Sequence, residues 1–235
     1  MSMLNEEYMS LRTGPAASLA DLVNSAFMDP HDDHISLLNI WEAYKFQSVR
    51  VCRNMSDDAR FAHLSQWCLQ RYLDYDILQS ADRTFQSLLS FAKREMRKND
   101  DEEIQPAPHQ VWEGPEFSVV IWKVLLKSGF LRIAVKDSNN VGYRTLGENQ
   151  SGLIHPGSFL IRRDYDYDFI MYDRYIKTKK FYFTTITNID SQWIFEKPLA
   201  RAYASSLLTN YINNSEKGGP IKQLQAAKDK FDRNN

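Results

Sequence analysis

Three stretches of this 235-residue chain gather side chains that could do chemistry. DPHDDH, from Asp29 to His34, packs two histidines and three carboxylates into six residues, a donor density that suits a divalent metal. The same residue types also suit a loop that ends in a helix N-cap. DYDYD, from Asp164 to Asp168, offers oxygen ligands to a hard cation, yet it lacks the glycine and closing glutamate of a calcium loop. An exposed turn is the simpler reading of it. The third stretch, YIKTKKFYFTTITNIDSQWIFE from Tyr175 to Glu196, places Lys177, Lys179 and Lys180 ahead of aromatic and β-branched residues. Lysines at a turn attract phosphates, and an exposed tyrosine ring can stack on a base, which is how small barrels hold single strands. If Phe181 opens a strand, alternation sends Tyr182 and Thr184 to one side and Phe181 and Phe183 to the other. The competing reading is a core strand that follows a solvated turn.

The other routes to chemistry are closed at the sequence level. No GxxxxGK[ST], GxGxxG or GxSxG motif occurs, so no phosphate cradle and no catalytic residue are expected of this chain. No metal and no cofactor are expected in it either. Net charge is -1, so any polyanion site must be a local patch. Cys52 and Cys68 are the only cysteines, without a CxxC, which fits a reducing intracellular compartment. Cys68, beside Trp67 on an apolar face, reads as a packed core thiol. MSMLNEEYMSL lacks the basic start and apolar run of a secretory signal, and no window approaches about 18 consecutive apolar residues.

The elements that must position these residues divide by period. Residues 1–100 read as helices. Leu19, Leu22, Val23, Ala26 and Phe27 form the first face. A second helix is expected from Asp33 as N-cap, with Leu37, Leu38, Trp41 and Tyr44 along one side. A third carries Phe61, Leu64, Trp67 and Cys68 behind the acidic opening Ser56-Asp57-Asp58. A fourth carries Ala81, Phe85, Leu88 and Ala92. The charged, proline-containing stretch KNDDEEIQPAPH (Lys98 to His109) reads as a linker, set at 101–110. Beyond it, EFSVVIWKVLLKSGF predicts one more helix. Six short runs then read as strands: FLRIAVKD, VGYRTLG, GSFLIRR, YDFIMYDRYI, KFYFTTITNI and SQWIFE. Such a series over 111–200 suggests a small barrel or a strongly bent sheet. Residues 201–235 read as a polar tail, with GGPIKQLQAAKDKFDRNN as a weak terminal helix.

DDHISLLNIWEAYKF, followed by QWCLQRYLDYDILQSADRTFQSLL, resembles the helical ratchet region of DEAH-box RNA helicases. The matching positions are Asp33, His34, Leu37, Leu38, Asn39, Trp67, Cys68, Leu73, Tyr75, Leu78, Ala81 and Asp82. Upstream, SMLNEEYMSLRTG resembles the same family. Downstream, LLKSGFLRIAVKD, GLIHPGSFL and the Tyr175–Glu196 stretch resemble, in the family's order, segments of its C-terminal oligonucleotide-binding barrel. The sequence departs from the pattern at Asp32 (family glycine), Asp74 (asparagine), Phe85 (arginine), Thr184 (arginine) and Ser191 (proline). Loss of arginine at Thr184 removes a multidentate phosphate donor.

The resemblance implies an α+β chain: an N-terminal helical, ratchet-like bundle, incomplete at its N-terminus, followed by a small OB-like β-barrel. It implies an accessory region that grips single-stranded RNA while motor domains hydrolyse ATP with magnesium. None of the motor motifs occurs in these residues, so no ATPase activity is expected of the chain alone. The implied RNA contacts are Lys177, Lys179, Lys180, Tyr182 and His155. The implied partners are single-stranded RNA, helicase motor domains and regulatory proteins, in an intracellular, nuclear setting, with no membrane. The alternative is a docking module that regulates a helicase complex and binds little RNA itself.

Overall fold

The computed structural model describes residues 17–98, 115–137, 141–160, 167–213 and 220–234. The linker at 101–110, the upstream segment that resembles the helicases, and Asp164 to Asp166 of the DYDYD run lie outside them. The chain forms two compact units: Met1–Met28 with Ile35–Glu113, and Asp29–His34 with Gly114–Asn235. Among the described residues, no helix is long and apolar enough to cross a membrane.

The first unit is helical. It contains α1 (Ala17–Asn24), most of α2 (Asp33–Phe46), α3 (Asp57–Leu69) and α4 (Tyr75–Lys98). Ser56 caps α3 by accepting from the Ala59 amide, as its position before two aspartates requires. Ile40, Trp41, Tyr44, Leu64, Trp67, Cys68, Leu78 and Ala81 are buried. Trp41 packs on Phe85 at 5.6 Å, and Tyr44 on Trp67 at 6.4 Å. Cys68 is a free, buried thiol that burial pushes up to about 12. Two expected faces are wrong. Leu19 and Leu22 are exposed while Ala20 and Asn24 are buried, because Asn24 Nδ2 donates to the Arg71 carbonyl at 2.8 Å. On α4 the buried face ends near Ala81, and Leu88 and Phe91 are exposed.

The second unit is built on a closed five-stranded barrel in the order β1-β2-β3-β5-β4. The strands are β1 (Ile133–Lys136), β2 (Tyr143–Thr145), β3 (Ser151–Ile154), β4 (Phe169–Lys177) and β5 (Phe181–Asn188). All pairs are antiparallel except β3 with β5, which meet only at Leu153↔Tyr182 and Ile154↔Phe183. Inside the barrel lie Ala134, Tyr143, Ile170, Phe183 and Ile186. Phe183 and Ile186 are three residues apart, yet strict alternation would put them on opposite faces. Thr185 absorbs the break with a φ of 46°, a rare conformation for a β-branched residue.

Outside the barrel, α5 (Pro115–Gly129), α6 (Ser191–Glu196), α7 (Pro198–Asn213) and α8 (Pro220–Asn234) cover one side. Leu126, Ile133, Val135, Phe169, Met171, Ile194, Phe195, Ala204, Leu208 and Leu224 form this second cluster. Three strand and tail expectations need correction. SQWIFE is the helix α6, because Asp190 accepts from the Gln192 amide at 2.9 Å and starts a turn there. Gly157 to Leu160 of GSFLIRR form turns after Pro156, and its last three residues, 161–163, lie outside the described residues; the strand is Ser151–Ile154 instead. The tail from 201 holds most of α7, which was not expected, and α8 where a weak terminal helix was; their Ala204, Leu208, Leu224 and Ala227 are buried against the barrel.

Asp29–His34 fills the seam where β3 leaves β5. Asp32 bridges Thr187, and the Asn188 amide donates to the His31 carbonyl at 3.2 Å. Asp33 does not serve as the expected helix cap. Its carboxylate accepts from the Phe159 and Ile186 amides, each at 2.9 Å. Asp32 accepts from the Thr187 hydroxyl at 2.6 Å and from the Trp122 indole. Since the Thr187 proton goes to Asp32, His34 Nδ1 is the donor in its 2.5 Å contact with Thr187 Oγ1. The donors that suggested a metal are therefore committed to sheet and side-chain partners. Among the described residues, no group of three His, Cys, Asp or Glu could hold a metal ion.

Candidate nucleic-acid interface

The β4–β5 hairpin carries the basic residues at its turn. Lys177 pairs with Phe181 across the ladder, and the Thr178 amide donates to the Lys180 carbonyl at 2.9 Å to close the turn. Lys177, Lys179 and Lys180 are all exposed. Lys177 Nζ lies 5.3 Å from the Phe181 ring centre, so this lysine leans back over an aromatic face.

The expected contacts do not share one surface. Tyr182 and His155 lie on the outer face of the hairpin, ring centres 5.5 Å apart and edge to face. His155 is fixed there because its amide donates to the Phe183 carbonyl and its Nδ1 accepts from the Gly157 amide at 3.0 Å. Burial holds its imidazole below the usual histidine range, which disfavours its charged form. Thr184 is also on this face, directly across from Arg174, whose Nε is 3.4 Å from Asp173.

The inner face carries aromatic residues that alternation alone did not mark as ligands. Tyr175 and Phe181 stack with centres 5.2 Å apart and planes within 5°. Lys177 stands on the same face. β3 passes beneath them at Gly152, where a Cβ would lie 2.9 Å from both Tyr175 and Phe183 ring carbons. Gly142, at the end of the β1–β2 loop, abuts Gly152 in turn, and Val141 beside it is 91% exposed. Val141 and Gly142, at the end of the β1–β2 loop, and the β4–β5 turn thus flank one mouth of the barrel, with β3 as its floor. The local signal for Gly152 was its position after Ser151, which reads as a turn rather than a close approach.

Residues 121–197 match the family model described as oligonucleotide/oligosaccharide-binding (OB)-fold. The barrel is an OB fold. Its strand order closes the sheet with a single parallel pair, and the matched residues include all five strands. In OB folds the ligand groove runs over the face of strands 2 and 3 between the β1–β2 and β4–β5 loops. In this OB fold, that mouth is the one bounded by Val141, Gly152, Phe181 and the lysine turn. The match is compatible with a nucleic-acid or oligosaccharide ligand.

Proposed function

We propose that this chain is an RNA-binding accessory region of a DEAH-box RNA helicase, and that its OB fold grips single-stranded RNA during ATP-driven unwinding by motor domains that these residues do not contain. The observation that carries the reading is the cationic turn Lys177–Lys180 at the rim of the OB groove, in a chain of net charge -1. Local positive charge at that rim, rather than bulk charge, supplies affinity for a polyanion. The helicase assignment draws on the ordered resemblance of the helical segments and of the barrel, in keeping with the OB-fold match. In this reading Lys177, Lys179 and Lys180 contact phosphates, and His155 with Tyr182 forms a rim on the outer face. ATP and magnesium act in the motor domains, and the setting is nuclear RNA processing.

The test is fluorescence anisotropy of a labelled oligouridylate titrated with the full chain over a series of salt concentrations. Changing Lys177, Lys179 and Lys180 together to Ala is expected to weaken binding. The slope of log affinity against log salt should fall by about 0.7 for each phosphate that the chain no longer neutralises, or about 2 in all. Unchanged affinity and slope would reduce the turn to a solvated one and favour a docking module.

A further inference from the structure

A column of aromatic rings runs along the inner face of the hairpin, from the barrel core to solvent. Ring centres are 4.9 Å apart from Tyr172 to Phe183, 5.0 Å from Phe183 to Tyr175 and 5.2 Å from Tyr175 to Phe181. Phe183 is fully buried, whereas Phe181 is 38% exposed. The column is held from two sides. The Tyr175 hydroxyl donates to the Ser151 carbonyl at 2.8 Å, and Gly152 leaves room for the Tyr175 and Phe183 rings where any Cβ would collide with them. At the solvent end, Lys177 covers the Phe181 ring.

We propose that Phe181, backed by Tyr175, is the platform on which an unpaired RNA base stacks, and that Lys177 leaves the ring for the adjoining phosphate as the base arrives. The proposal rests on the RNA reading above and names the ring that serves it. A cation over an exposed ring contributes less than a stacked base, so the exchange favours the base. The displaced ammonium then gains a phosphate partner instead of returning to water. Because Tyr175 already fixes the Phe181 plane, little side-chain freedom is lost on binding. Tyr182 is the poorer platform. It lies on the opposite face of the hairpin, and His155 is already set against its ring. Every base has a π face, so this platform selects unpaired nucleotides without selecting a sequence.

The experiment uses the full chain with a fluorescein-labelled oligouridylate, and a second oligonucleotide carrying one 2-aminopurine. Phe181→Ala is expected to weaken binding by about tenfold while leaving the salt slope unchanged, since stacking releases no counterions. Phe181→Leu, apolar but without a flat face, should behave like the alanine variant, and Phe181→Trp should retain binding. The unmodified chain should quench 2-aminopurine, and Phe181→Leu should not. Melting temperature checks that each variant is folded, and Phe181 is exposed enough for that to hold. If Phe181→Leu binds and quenches like the unmodified chain while the triple lysine variant is weakened, the platform is wrong and the RNA reading stands. If Tyr182→Ala loses more affinity than Phe181→Ala, stacking belongs to the outer face and the platform is again wrong. Absence of binding by the unmodified chain would overturn the RNA reading and the platform with it.

Discussion

Gly142→Ala is expected to destabilise the barrel unit by about 4 kcal/mol, enough to unfold a marginal domain. Gly142 has a φ of 112°, a conformation that side-chain-bearing residues rarely adopt. A Cβ there would also lie 2.4 Å from the Gly152 carbonyl oxygen, which is backbone and cannot rotate aside. The strain and the clash act together, because relieving one by shifting the β1–β2 loop disturbs the pairing of β2 with β3. Gly129→Ala is the control. Its nearest neighbour would be the Met171 sulfur at 3.3 Å, the flexible part of a side chain, so its effect should stay near about 1 kcal/mol. Urea unfolding followed by circular dichroism measures both. Equal midpoints for the two variants would show that the loop accommodates a side chain after all.

Lowering the pH from 7 to about 4 should stabilise the protein relative to its Asp33→Asn variant, by about 3 kcal/mol when titration is complete. Burial is the largest influence on the Asp33 carboxyl and raises it from 3.8 to about 6; the Ile186 amide, the Ser158 side chain and the Phe159 amide oppose the rise, and nearby Asp32 adds to it. The sign is opposite to that of an ion-paired aspartate. Between about 6 and 3.8 the folded state binds more protons than the unfolded state, so this group's contribution grows as pH falls through that window. Every other group is common to the two proteins, and the difference between them cancels its contribution. Urea midpoints at several pH values supply that difference. A difference independent of pH would mean that water reaches Asp33.

What the sequence revealed followed how local each cause was. β4 and β5 were legible because long runs of Tyr, Ile, Phe and Thr alternate about a lysine turn, and the lysines proposed to meet phosphate lie within that run. SQWIFE misled because its aromatic composition suits a strand, whereas Asp190, one residue upstream, decides for a helix. α7 buries Ala200, Ala204 and Leu208 at four-residue spacing, a weaker apolar signal than a row of leucines, and so it read as a tail. The ring expected to stack was Tyr182, and the proposal of Phe181 draws on its stack with Tyr175, a cross-strand contact that alternation alone does not reveal. The role of Asp29–His34 was hidden for a different reason: the partners of Asp32 and Asp33 across the barrel lie 90 to 155 residues away in sequence.

That distance bears on how the chain emerges during synthesis. Asp32 accepts from Thr187, 155 residues later, and Asp33 accepts from Ile186, 153 residues later. On a ribosome, Asp29–His34 leaves the exit tunnel well before β5 and must wait, its carboxylates hydrated, until β5 has been translated. At about 5–20 residues per second that wait lasts on the order of ten seconds or more, far longer than a hairpin takes to form. The seam therefore cannot close until the chain 153 residues beyond Asp33 has been made, although one of its two sides has by then long been exposed.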